Sequence, residues 1–202
     1  LATWIAGSTH PGEENIILRV YSRLRQEFSD LCLILAPRNR QRFEEVFKLA
    51  LQSGWQTLLR SQLDAGKGRG SQMDVLILDT IGELARFYSL GDFAFVGGSL
   101  VPLGGHNPLE AVQRGLPVVF GPHMENFRDI AAILTESGGG FQIVDEHKLF
   151  EQLRAWLTEP AVAKEQGQKV QRTLQLHQGS VARNLEVIRS ILGTGKEQSN
   201  RA

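Results

Sequence analysis

The sequence predicts an α/β fold: a Rossmann-like open parallel sheet with helices on both faces. Three observations predict it. Short apolar runs alternate with stretches of helical spacing along most of the chain. Runs such as "LCLILA" are apolar throughout, as parallel strands covered on both faces tend to be. Polar and glycine-rich loops follow the runs, and right-handed crossovers would bring those loops to one edge of the sheet.

"TWIAG" (Thr3 to Gly7) reads as a first strand, ending in Gly-Ser-Thr. "GEENIILRVYSRLRQEF" then sets Ile17, Val20, Tyr21, Leu24 and Phe28 on one helical stripe. "LCLILA" (Leu31 to Ala36) is a strand, and "QRFEEVFKLAL" a helix facing inward through Phe43, Val46, Phe47, Ala50 and Leu51. "QTLLR" gives another strand, and the polar stretch from Ser61 to Gln72 reads as a flexible surface loop. "DVLILD" is the next strand, with a short helix in "IGELARFYSL". "FAFVGG", "LPVVFGP" and "GFQIV" complete the strands. "EHKLFEQLRAWL" is a helix with Leu149, Phe150, Leu153, Trp156 and Leu157 inward. Helix continues from Pro160 to about Leu192, broken near Gly179-Ser180. Ser180 caps a final stripe of Val181, Leu185, Ile188 and Leu192. We take residues 1–192 as one domain and 193–202 as a polar, disordered tail.

The 202 residues hold 22 basic and 22 acidic side chains and are 42% hydrophobic, an ordinary globular composition with no basic excess for nucleic acid. Cys32 is the single cysteine and sits in an apolar run, which excludes an internal disulfide framework and suits a reducing compartment. No apolar run reaches the roughly 18–20 residues that span a membrane. The opening "LATWIAGSTH", with no initiator Met, reads as part of a longer protein whose anchor or second domain would lie elsewhere.

The topology selects four loops for chemistry: Ser8 to Gly12, Pro37 to Gln41, Thr80 to Glu83, and Gly97 to Glu110. In "GGHNPLEAV", Asn107 is a good N-cap, Pro108 suits the first turn and Glu110 falls third. Glu110 can close a capping box, or it can accept hydrogen bonds from two ribose hydroxyls. The helix start offers an anion site, with Gly104 and Gly105 letting a ligand approach the backbone. Arg38, at the strand edge, can fork onto a phosphate, and Pro37 can offer an apolar face to a base. Arg40 and Arg42 read as solvated. Gly82 frees the backbone to read a base edge, while Glu83 reads equally as a first-turn dipole partner. His10 can contact a phosphate or cap a turn, and His106 and His123 lie near the cleft. No spacing matches a metal site, a P-loop or a nucleophile elbow, and "AGSTHPGEE" fits the dinucleotide fingerprint poorly. We therefore expect no metal and no cofactor.

Together, "STHPGEE", "APRNRQRF", "DTIGEL", "FVGGSLVPLGGHNPLEA" and "GPHMENFRDI" resemble the C-terminal half of the 3-deoxy-D-manno-octulosonic acid (Kdo) transferases, over roughly Leu1 to Leu192. Pro11 departs from the glutamate usual in the first block, and "PRNRQRF" lacks the His and Pro usual in the second. The resemblance implies a GT-B glycosyltransferase, its acceptor domain outside this chain. Such an enzyme inverts at the anomeric carbon without metal and moves Kdo from CMP-Kdo to a lipid A precursor in lipopolysaccharide assembly. It works at the cytoplasmic face of the bacterial inner membrane, touching the membrane mainly through the other half. It also implies that Pro37, Arg38, Ile81, Gly82, Glu83, Asn107, Pro108, Leu109 and Glu110 contact CMP, with the catalytic base in the other half and this domain inactive alone. The rival readings are a UDP-sugar transferase or epimerase, and a nucleotide-binding module without chemistry.

Overall fold

The computed structural model describes residues 1–64 and 73–176. Its strands are β1 (Thr3–Thr9), β2 (Cys32–Pro37), β3 (Thr57–Leu59), β4 (Val75–Ile77), β5 (Phe93–Val96), β6 (Val118–Phe120) and β7 (Gly140–Gln142). Between them run α1 (Glu13–Glu27), α2 (Phe43–Gln52), α3 (Arg60–Asp64), α4 (Leu84–Phe87), α5 (Leu109–Val112), α6 (Arg128–Glu136) and α7 (Glu146–Thr158). A further helix, α8, covers 160–176.

All pairings are parallel, and the seven strands lie in the order β3-β4-β2-β1-β5-β6-β7. The central strands β2, β4, β5 and β6 are apolar and buried throughout because each sheet face meets its own helical layer. Trp4, Leu33, Leu35, Val75, Ile77, Phe93 and Phe95 share one core with Tyr21 of α1, Val46 of α2 and Trp156 of α7. The alternate residues Ile5, Ile34, Leu76, Ala94, Val96 and Phe120 share the other with Val112 of α5, Leu134 of α6 and Val170 of α8. Cys32 is buried, and that burial pushes its thiol up to about 11, so it is an inert core group.

The α1 and α7 stripes fall as the periodicity predicts, with Ile17, Val20, Tyr21, Leu24, Leu149, Leu153 and Trp156 buried. Three expectations need correction. Leu51 faces solvent, while Leu49 packs on the core, because Val46 and Ala50 set the buried side of α2 and Leu51 falls about 140° round the helix from Val46, Leu49 only about 60°. The stretch from Ser61 read as loop begins inside α3, where Ser61 N–H and hydroxyl both bond the Asp79 carboxylate. Between the strands "LPVVFGP" and "GFQIV" lies α6, a helix not predicted above although Ile130, Ala131 and Leu134 fall at helical spacing. The remainder of that loop, the Ser180 cap, the stripe through Leu192 and the polar tail lie outside the described residues.

Candidate functional site

From β1 the chain adds β2, passes to the edge strand β3 and inserts β4 between them, then returns to pair β5 on the other side of β1. The point of reversal lies between β1 and β5, and a crevice opens there at the carboxyl ends of the strands. The sequence makes that crevice by local irregularity. The β1–β2 register slips between Gly7 and Thr9, leaving Ser8 as an extra residue. Ser8 takes φ 57, the single non-glycine residue in the left-handed region among the described residues. Beside it the backbones of the two loops almost touch: a Cβ on Gly97 would collide with the Ser8 carbonyl. Gly7 likewise leaves room for the Tyr88 hydroxyl.

Two consecutive carboxylates tie the loops together. Glu13 is fully buried. Its Oε2 accepts the N–H groups of His10 (2.9 Å) and Gly98 (2.8 Å), and its Oε1 those of Ser99 and Leu100 (both 3.0 Å). Burial pushes this carboxyl above the ordinary glutamate range, and the four N–H bonds pull it back. Glu14, also buried, accepts from Arg42 at 2.6 Å and from the Thr9 hydroxyl at 3.1 Å. Arg42 is therefore not a solvated helix-start charge: its side chain is 13% exposed and bridges Glu14 to Glu45.

These ties shape a cleft of about 360 Å³ lined by Ser8, Arg38, Gly82, His106, Asn107 and Glu110, with Tyr88 and Phe127 behind them. Arg38 and Glu110 are exposed, and among the described residues neither side chain makes a hydrogen bond or ion pair. A cation and a carboxylate thus face one crevice with their bonding capacity unused. Gly82 turns through φ 83 into open space, as a backbone presented to a ligand can. A larger hollow of about 740 Å³, against Leu1, Asp92 and Trp156, lies at the opposite end of the sheet.

Of the nine residues named from sequence, Arg38, Gly82, Asn107 and Glu110 line the cleft, and Pro37, Ile81, Glu83, Pro108 and Leu109 do not. Pro37 and Pro108 are buried, Ile81 stands 74% exposed on the rim, and Leu109 packs on the core. The Glu83 carboxylate is already held by Arg60 at 3.2 Å and by the Thr80 hydroxyl. Two readings change. Helix α5 has four residues, too few for a useful macrodipole, and the Asn107 side chain spends its Oδ1 on Leu109 N–H at 3.0 Å. Gly104 and Gly105 adopt φ 81 and 73 with Asn126 and Met124 packed where a Cβ would stand, so the fold itself requires these glycines. Tyr88 and Phe127 had no sequence signal as cleft residues beyond lying on helical stretches near strand ends.

His10 and His106 meet across the crevice, Nε2 to Nε2 at 2.7 Å, edge to edge with ring planes 6° apart and centroids 5.0 Å apart. Burial lowers both, His106 to about 4, and the Arg38 charge lowers them further. No cluster of three or more metal-binding side chains occurs among the described residues.

An open parallel sheet, a crevice at the strand-order reversal, and a free Arg and Glu within it define a GT-B glycosyltransferase domain. The chain belongs to the 3-deoxy-D-manno-octulosonic acid transferase family. It is 34% identical to that transferase of Haemophilus influenzae over 190 residues, which are 94% of this chain and 44% of the relative. It is 34% identical to the Aquifex aeolicus transferase over 76% of this chain and 41% of that protein. The crystal structure of the C-terminal CMP-Kdo binding domain of WaaA from Acinetobacter baumannii superposes with a TM-score of 0.79 at 31% identity, covering 86% of this chain and 89% of that one. The chain thus spans less than half the length of those curated relatives. No family model matches it.

Proposed function

We propose that this chain is the donor-binding half of an enzyme that transfers Kdo from CMP-Kdo to a lipid A precursor, in lipopolysaccharide assembly at the cytoplasmic face of the inner membrane. One observation carries the reading: Arg38 and Glu110 face the same crevice with no partner of their own among the described residues. Likeness to a domain described as CMP-Kdo binding supports the choice of ligand.

In this reading the Arg38 guanidinium forks onto the CMP phosphate, and Glu110 accepts the two ribose hydroxyls. The backbone at Gly82, turned into open space beside Ile81 and Glu83, reads the base edge. Asn107 keeps its amide N–H donors for the ligand, Pro108 and Leu109 fix the approach of Glu110, and Pro37 backs Arg38. Transfer proceeds by direct displacement with inversion and without metal, a base in the other half taking the acceptor proton. Charge grows on the departing phosphate, and Arg38, already in place, meets it.

No helix among the described residues is long and apolar enough to cross a membrane; in this reading membrane contact falls mainly to the other half. The test is calorimetric titration of this chain with CMP, UMP and UDP, alongside Arg38→Ala and Glu110→Ala. CMP should bind tightest, and each substitution should weaken it by about tenfold or more, the scale of a lost charged hydrogen bond. A preference for UDP would overturn the donor assignment.

A further inference from the structure

His10 and His106 come from the two loops that flank the strand-order reversal, and both pack over Gly98, where a Cβ would meet their rings. Two imidazole nitrogens cannot rest at 2.7 Å with lone pairs opposed, so one Nε2 carries the hydrogen and the other accepts it. When the pair is neutral, the donating ring has a bare Nδ1 and the accepting ring an Nδ1–H. One added proton leaves the shared hydrogen between the Nε2 atoms and puts a donor on both Nδ1 atoms. The neutral pair therefore presents one donor and one acceptor, and the charged pair presents two donors and a positive charge.

The pair is held in place from below. Glu13 bonds the main-chain N–H of His10 and that of Gly98, and the His106 N–H bonds the Gly97 carbonyl, which fixes the backbone on both sides of the pair. His106 lines the cleft beside Ser8 and Arg38. The charges that face the pair are Arg38 at the end of β2, Arg42 just before α2, Glu13 and Glu14 of α1, and Glu110 across the cleft. Glu13, Glu14 and Arg42 are committed to internal bonds. The charge whose balance can change is Arg38, since an anion bound there would cancel its repulsion.

We propose that His10 and His106 work as one proton-holding unit that contacts the phosphate of the bound nucleotide and takes up a proton from solvent as that phosphate enters. The proposal rests on the nucleotide reading above and adds a second phosphate contact to it, beside Arg38. In the empty cleft, burial and the Arg38 charge keep the pair neutral. A phosphate reverses both influences: it neutralises Arg38 and rewards two Nδ1–H donors. Proton uptake on binding means that CMP binds best below the pair's ligand-free pKa, and that the advantage is lost as pH rises through the ligand-bound pKa.

The test follows the histidine ring signals of this chain by NMR between pH 4 and 9, with and without saturating CMP. His10→Gln and His106→Gln assign the pair among the five histidines. The pair should titrate below the ordinary histidine range when empty and about one unit or more higher with CMP. Correspondingly, CMP affinity should fall between pH 4 and 6 by about tenfold more in the wild type than in His106→Gln. The nucleotide's own phosphate ionisation, near pH 6, acts alike on both proteins. If CMP binds and the ring signals titrate unchanged, the pair has no contact with phosphate, while the nucleotide reading stands. Equal pH dependence in wild type and variant likewise removes the phosphate contact and spares the nucleotide reading. Failure of CMP to bind at millimolar concentration overturns both. The wild-type titration needs no substitution, so a variant that folds poorly does not blunt the test.

Discussion

Glu13→Gln removes one charge and almost no volume, and it should be among the most damaging conservative changes in the molecule. The carboxylate accepts four backbone N–H groups, two on each oxygen. A glutamine keeps one of those oxygens. Whichever one it keeps, an NH₂ then faces two N–H donors in a site with no solvent access. Two buried donors lose their acceptor, at about 1–3 kcal/mol each. Against this stands the relief of no longer burying a charge, since burial is the largest influence on this carboxyl. The net expectation is a loss of about 2–4 kcal/mol, placed in the lower and middle part of the gross range by that relief.

Urea unfolding of wild type and variant, followed by tryptophan fluorescence, measures it. A second readout isolates the mechanism. The amide protons of Gly98, Ser99 and Leu100, shifted downfield by a charged acceptor, should move upfield in Glu13→Gln, with CMP affinity falling as the His106 loop loosens. A change below about 0.5 kcal/mol, the size of an ordinary surface substitution, with those three amides unmoved, would refute the clamp.

Arg42→Ala should cost about 3–5 kcal/mol, because it strands the Glu14 carboxylate in the core with the Thr9 hydroxyl as its remaining side-chain donor; Arg42→Ala combined with Glu14→Leu should recover much of it, as chemical denaturation can measure. Gly97→Ala should lower stability by about 1–3 kcal/mol, since its Cβ would press on the Ser8 carbonyl rather than on a side chain able to move. Stability should also fall with acidification. His106 is held near 4, below its ordinary 6.5, so its contribution is whole above the unfolded pKa and is lost as pH drops through the folded value. Urea midpoints measured from pH 7.5 to 4.5 should accordingly fall less steeply in His106→Gln than in the wild type.

The sheet was readable because burial on both faces leaves a plain mark: six-residue β2 is buried along its entire length, and no amphipathic helix can be. The edge carrying the site followed from chain topology, so Arg38, Gly82, Asn107 and Glu110 could be placed together from sequence. What escaped were pairings across long separations. Glu13 lies 85 residues from Gly98, and nothing in "GEEN" distinguishes a clamp from a first-turn dipole partner. Arg42 looked solvated for the same reason, its partner being 28 residues back. Gly104 and Gly105 were correctly judged special, but the neighbour that demands them is Asn126 and Met124 rather than a ligand.

The charged residues at this edge divide by whether their bonds are already spent. Glu13, Glu14, Arg42 and Glu83 sit in the same loops as Arg38 and Glu110 and have the same chemistry, yet each is bonded within the protein, Glu14 through its Oε1 alone. Their role is geometric. Glu13 fixes the loop after β5 to the loop after β1, and Glu14 fixes the loop after β1 to Arg42, four residues beyond Arg38. Three loops are thereby held in one register by two adjacent carboxylates. This arrangement leaves Arg38 and Glu110 lining the cleft with their donors and acceptors free, which is the preorganised state that the proposed phosphate and ribose recognition would require. It follows that charge-removing changes at the clamps should act on nucleotide affinity only through loop position. Those at Arg38 and Glu110 should act directly, leaving the unfolding midpoint almost unchanged.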